Sequence, residues 1–179
     1  MDHGPGPYAE FEAFVAGAAG RLLRVAILLT AEPPTATADT GADGPAGAPV
    51  PSDATAAAEA PAARGLLGGA LARTYANWRT LRGDDPYDYT RQELCAAFAR
   101  TGRRHHRGSG VLGRLAPLER LVVVLRLYEG VAEEVTAAQL GLAPERVRAL
   151  CDRAVGELRT RPGAVPGKPG PDARRKEAA

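Results

Sequence analysis

The sequence predicts an all-α protein: two small helical domains, the second a helix-turn-helix, with a disordered insertion in the first domain and a disordered carboxyl-terminal tail. Three observations lead there. Apolar residues recur at steps of three and four along several separate stretches, and no stretch shows the alternation of a half-buried strand. Prolines stand where helical patterns begin, at Pro86, Pro117 and Pro144, a position where the missing N–H costs nothing. Residues 31–62 and 161–179 are rich in Pro, Gly, Ala and polar residues, and such segments bury too little apolar surface to offset their ordering entropy.

The first periodic stretch covers residues 8–30, where Phe11, Phe14, Val15, Ala18, Leu22, Val25, Ala26 and Leu29 share a face. The insertion 31–62 holds one valine and no other large apolar residue, so no core position is expected in it. A second helix is expected over 63–82, with Leu67, Ala70, Leu71, Tyr75, Trp78 and Leu81 in line. "GDDP" breaks it, and Asp85 and Pro86 supply an N-cap and first residue for a third helix running to about His106. That helix ends in "RTGRRHHRG", which contains no acid, and "GSG" reads as a flexible joint. Residues 117–129, "PLERLVVVLRLYE", form a further amphipathic helix with Leu118, Leu121, Val122, Leu125 and Tyr128 on one side.

The last ordered stretch is "AAQLGLAPERVRALCDRAVGELR", Ala137–Arg159. Gly141 suits the left-handed turn that closes one helix, and Pro144 opens the next. Val147, Leu150, Cys151, Ala154 and Leu158 make one apolar stripe; Glu145, Arg146, Arg148, Asp152, Arg153 and Arg159 lie opposite. This pattern is a helix-turn-helix, whose second helix can enter a major groove. A helical hairpin with a solvated charged face would read the same way. The domains are therefore expected at 1–107, with the insertion inside it, and at 117–160, joined by 108–116 and followed by a basic tail at 161–179.

Composition narrows the partners. The net charge of +2 conceals an asymmetry: residues 1–63 hold eight acids and two bases, residues 64–179 thirteen acids and twenty-one bases. The basic part suits nucleic acid, although a solvated surface would explain it too. Cys95 and Cys151 fall in separate amphipathic stretches and are expected to be buried free thiols in a reducing cytoplasm. The acidic amino terminus lacks a signal-peptide pattern, and no run is read as long enough to span a membrane. His105 and His106 are adjacent and point about 100° apart on a helix, with no third ligand nearby, so no metal is expected. "GLLGG" lacks the G-K-[ST] of a phosphate loop. No catalytic set stands in a recognisable context, so neither an enzyme nor a cofactor is expected.

The order of these segments resembles the extracytoplasmic-function sigma factors of bacterial RNA polymerase, in particular the actinobacterial sigma-E-like type. "FEAFVAGAAGRLLRVAILLT" and "ALARTYANWRTLRG" resemble the first helices of the −10-binding domain, with the aromatic pair at Tyr75 and Trp78. "DPYDYTRQEL" through "RRHHR" resembles the helix that opens the −10 element, and "RLAPLERLVVVLRLYEG" with the helix-turn-helix resembles the −35-binding domain. The resemblance implies promoter DNA and core RNA polymerase as partners, with an anti-sigma factor as a further one, in the cytoplasm. It places Arg91, Arg100, Arg103, Arg104, His105 and Arg107 toward the −10 element. Pro144, Glu145, Arg146, Arg148 and Arg153 would face the −35 duplex. Leu66, Leu67, Leu71, Tyr75 and Trp78 would lie on or beneath the polymerase-binding face.

The chain departs from the family's pattern at several places. "RGLLGG" stands where a polar, glutamine-containing docking patch is usual, and each glycine there weakens a helix by about 0.5–1 kcal/mol relative to alanine. Ala96 and Gly102 replace an asparagine and a tryptophan, Thr136 takes an apolar position, and Leu150 stands where arginine is common. The insertion separates two helices normally joined by a short turn. Residues 108–116, fully extended, reach at most about 30 Å, less than the roughly 50 Å of one and a half duplex turns. Two readings follow: a working sigma factor, or a sigma-like regulator or helical interaction protein that no longer docks on core polymerase.

Overall fold

The computed structural model describes residues 6–32, 60–81, 83–101 and 108–160. Among them are six helices and no strand: α1 (Pro7–Thr30), α2 (Pro61–Ala76), α3 (Pro86–Thr101), α4 (Pro117–Val123), α5 (Glu133–Leu140) and α6 (Pro144–Arg159). Every helix except α5 opens on a proline. Asp85 accepts the Tyr87 N–H at 2.8 Å and so caps α3 as its sequence suggests. The tail 161–179 and most of the insertion lie outside the described residues.

The borders of the insertion do not behave as its composition suggests. Ala31 and Ala60 are buried at 2% and 1% exposure, and α2 begins at Pro61. Glu32 is the cause. Its carboxylate accepts the Ala62 N–H at 3.0 Å and the Ala63 N–H at 2.8 Å, and Thr30 Oγ1 donates to it at 3.1 Å. An acid supplied from thirty residues earlier thus caps an amino terminus whose own N-cap, Ala60, has no side-chain acceptor. Glu32→Ala is expected to destabilise the protein by about 1 kcal/mol, read as a lowered midpoint in urea; an unchanged midpoint would remove the cap.

α1 is the central helix. It is long and apolar enough to cross a membrane by length and composition, with a mean hydropathy of 1.6 over its best eighteen-residue window, contrary to the expectation of no such run. Here its stripe of Leu22, Val25, Ala26 and Leu29 is fully buried in the core. At its amino-terminal end Phe11 meets Tyr75 and Trp78, with ring centroids 4.9 and 5.1 Å apart, and Phe14 meets Trp78 at 5.4 Å. Such tilted and edge-on pairs clasp α1 to the end of α2. Between α2 and α3, Thr74 and Thr90 share a buried hydroxyl bond of 2.8 Å.

The two helical groups expected as separate domains pack against each other in this fold. Leu22, Val25 and Leu29 of α1, Leu94 and Phe98 of α3, Leu121 of α4 and Ala154 of α6 belong to one continuous buried cluster. The "GSG" segment is consequently not a flexible joint. A Cβ on Gly108 would stand 2.2 Å from the Ala31 carbonyl oxygen, and one on Gly110 would stand 2.6 Å from that of Glu32. Glycine is required there because backbone meets backbone. The Gly110 N–H donates to Ala31 O at 2.8 Å, and Leu112 and Leu115 are buried. Ala31 itself holds a left-handed conformation, φ 51 and ψ 36, uncommon without glycine.

Two buried charges join the groups. Arg120 has no exposed surface; it donates from Nε to Leu112 O and Leu115 O at 3.0 Å each, from Nη1 to Leu29 O at 3.2 Å, and from Nη2 to Gly113 O at 3.2 Å. The side chain of Glu129 is likewise unexposed. It accepts from Arg21 Nε at 3.1 Å, from Arg91 Nη1 at 3.4 Å and from the Tyr87 hydroxyl at 3.0 Å. Burial and the Glu129 charge raise the Tyr87 phenol above its ordinary value, so it remains a donor. Glu129 reaches this position after α4 widens into a π-helical turn over Val124–Tyr128, closed by Glu129 N–H donating to Val124 O at 2.9 Å.

Candidate nucleic-acid interface

The helix-turn-helix is α5, Gly141 and α6. Gly141 takes φ 64 and ψ 36, and the Leu142 N–H reaches back to Ala137 O at 2.9 Å, which closes α5 in a Schellman-type turn. Val147 and Leu150 of α6 pack with Val122 and Ala137 in a small core of their own. Leu150, where the family resemblance leads one to look for arginine, is 2% exposed and serves this core. Thr136 is fully buried beside it, and among the described residues its hydroxyl has no hydrogen-bond partner. Thr136→Val keeps the shape and removes that orphan group. It is expected to raise stability by about 1 kcal/mol, seen as a higher thermal midpoint; a lower one would mean the hydroxyl is satisfied.

The opposite face of α6 is open. Glu145, Arg146, Arg148 and Arg153 are exposed and Pro144 partly so, all on the helix that follows the turn. Arg148 binds Glu133 of α5 through Nε at 3.2 Å and Nη2 at 2.7 Å; Arg153 Nε binds Glu119 of α4 at 2.6 Å. The hydrogen bond to Glu133 and its charge raise the Arg148 guanidinium further. The ion pairs of α6 with its neighbours fall on Arg148 and Arg153; among the described residues none falls on Arg146. The carboxyl-terminal end of α6 is capped from the connector, where Arg114 donates to Thr160 O at 2.9 Å and to Leu158 O at 3.2 Å, a cation at the negative end of the helix.

The residues assigned by resemblance to the −10 element fare differently. Arg103, Arg104, His105 and Arg107 lie outside the described residues. Arg100 is exposed. Arg91 is 6% exposed and its Nη1 is engaged by Asp88 at 2.9 Å and by Glu129, so in this fold it is turned into the protein and away from any phosphate. Of the residues assigned to polymerase, Leu67 is in the core and Leu66 and Leu71 pack against it, while Tyr75 is 49% exposed at the aromatic clasp that Trp78 shares. Leu66 and Arg100 border a groove of about 400 Å³ between α2 and α3, which Gly65 and Gly69 also line. A Cβ on Gly65 or Gly68 would meet nothing within 4 Å, so packing does not require those glycines.

Cys95 is buried, which pushes its thiol up to about 12, so it carries no thiolate at neutral pH. Cys151 is only partly buried, contrary to expectation. Among the described residues no group of three or more His, Cys, Asp or Glu could hold a metal ion. No motif in the sequence assigns a part to Glu119, Glu129, Glu133, Arg114 or Arg120. Only Glu119 carried a local signal, standing three residues after the N-cap, where its carboxylate takes the Ala116 N–H at 2.8 Å.

Residues 111–160 match the family model for sigma-70, region 4, the DNA-binding helix-turn-helix domain found in sigma factors. The match supports kinship of this part with the sigma-70 superfamily and covers residues 111–116 of the 108–116 connector, α4, α5 and α6. No curated protein and no solved structure matches the chain.

Proposed function

We propose that the protein is a sigma-factor-like transcription protein of the extracytoplasmic-function, actinobacterial type, acting in the cytoplasm, that binds promoter duplex through α6 and works with core RNA polymerase. The observation that carries this reading is the sigma-70 region 4 match over a helix-turn-helix whose second helix turns Arg146, Arg148 and Arg153 outward. Arg146 and Glu145 lie in the first turn of α6, the part that meets base edges in such motifs, while Arg148 and Arg153 lie further along, where phosphates pass. The amino-terminal helices take the −10 element and the polymerase in this reading, with an anti-sigma factor as regulator.

Arg148→Ala is expected to weaken duplex binding by roughly fivefold or more. A gel-shift titration that gives the same affinity for both proteins would take Arg148 off the DNA face. The wider reading is tested by co-purification with core RNA polymerase from the protein's own host, followed by abortive transcription.

A second reading has its own support. The connector is packed into the core, and Arg120 and Glu129 bind the helix-turn-helix group to α1 and α3. A protein built as one body, with "RGLLGG" in place of a polar docking patch, suits a sigma-derived regulator that binds duplex without polymerase. Well-folded protein that enriches a duplex but never co-purifies with polymerase would select this reading.

A further inference from the structure

With the acids that reach it from neighbouring helices, α6 carries no net positive charge. The helix holds four arginines and three acids, and two further acids reach its arginines from below. Glu133 takes Nε and Nη2 of Arg148, and Glu119 takes Nε of Arg153. The acids are the fixed partners: their side chains are 13% and 12% exposed, against 66% and 60% for the arginines. Glu119 is fixed further by its other oxygen, which accepts the Ala116 N–H. Each guanidinium is therefore held by its inner edge with the rest facing solvent. Exposed ion pairs of this kind add little to stability. Their effect falls on binding, because sequence-independent affinity for DNA comes from cations that neutralise phosphates. A phosphate approaching Arg148 or Arg153 has to compete with a carboxylate already in place.

We propose that Glu133 and Glu119 are positioning residues of the DNA face, which orient Arg148 and Arg153 and keep down the grip of α6 on arbitrary duplex. Binding is then confined to duplexes whose base edges or backbone shape meet the guanidiniums where they are held. This rests on the reading of α6 as a DNA reader.

The test uses the full chain, Glu133→Gln, Arg148→Ala and the double variant. Each is titrated by fluorescence anisotropy against a random-sequence duplex and a duplex enriched by the wild-type protein from a random pool, between about 50 and 200 mM salt. Glu133→Gln is expected to bind the random duplex more tightly and to steepen the dependence of log Kd on log salt by about 0.9, one phosphate's worth. It is expected to lose at least about fivefold in preference for the enriched duplex. Both effects should vanish in the Arg148→Ala background. Glu119→Gln, which keeps an acceptor for the Ala116 N–H, should act in the same way through Arg153. Weaker binding to both duplexes with an unaltered slope, or no change in either, would overturn the proposal. Failure of the wild-type protein to enrich any duplex would instead overturn the reading of α6, and the proposal with it. Circular dichroism at the assay temperature identifies a variant that has merely unfolded.

Discussion

Glu129→Ala is expected to destabilise the whole described body by about 3 kcal/mol. Glu129 belongs to the carboxyl-terminal group, yet the partners found for its buried carboxylate, Arg21, Tyr87 and Arg91, all come from α1 and α3. Removing it leaves the Tyr87 hydroxyl without this acceptor and, among the described residues, leaves Arg91, 8% exposed as a side chain, paired with Asp88 alone. An uncompensated buried cation costs more than the intact pair contributes. The retained Asp88 contact and the solvent around Arg21, 55% exposed, keep the loss from being larger. The reporter is built in: the chain's single tryptophan, Trp78, sits in the amino-terminal helical group, against Phe11 and Phe14. If the two groups unfold as one unit, the urea midpoint read from Trp78 fluorescence falls with that read from helicity. A Trp78 transition that stays in place while part of the helicity melts early would show two independent domains.

Much of the fold is legible in the sequence because it is local. Helix beginnings announce themselves through Pro86, Pro117 and Pro144, and the turn through Gly141, since each feature depends on one residue's own dihedral preference. The apolar stripes of α1 and α6 follow from period alone. What escapes notice is set by partners far along the chain. Arg21 and Glu129 are 108 residues apart, and Arg120 and Leu29 are 91 apart. A charge in a helical pattern reads as solvated until its partner is known. The same holds for Glu32, whose capping role requires α2 to fold back onto the end of α1. "GSG" misleads for a related reason: glycine permits both flexibility and close backbone contact, and only the position of Ala31 decides between them. The proposed DNA face divides along the same line. The exposed arginines of α6 are readable from the stripe opposite them, whereas the acids that hold Arg148 and Arg153 lie on other helices.

Arg120→Met should cost more than the loss of Glu129, about 4 kcal/mol, since four carbonyls lose a charged donor in a buried site. Methionine fills similar length but offers no donor. Burial lowers the Arg120 guanidinium below its ordinary value, and the planar fork of its N–H groups is what reaches Leu29, Leu112, Gly113 and Leu115 at once. Arg120→Lys keeps the charge as a single point and should recover only part of the loss. Globular domains are stable by about 5–15 kcal/mol, so the methionine variant loses a large share of what holds it folded. Its effect should begin in the connector: hydrogen exchange at the Gly110 and Leu115 amides, bonded to Ala31 O and Leu112 O, should accelerate before that of the α1 core. Since Arg114 of the same connector caps α6, loosening it should also unpin the end of α6 and, on the proposed reading of that helix, weaken duplex binding with its outer face unaltered. A loss under about 1 kcal/mol, in the range of ordinary surface substitutions, would mean that the connector is held by its glycines and leucines alone.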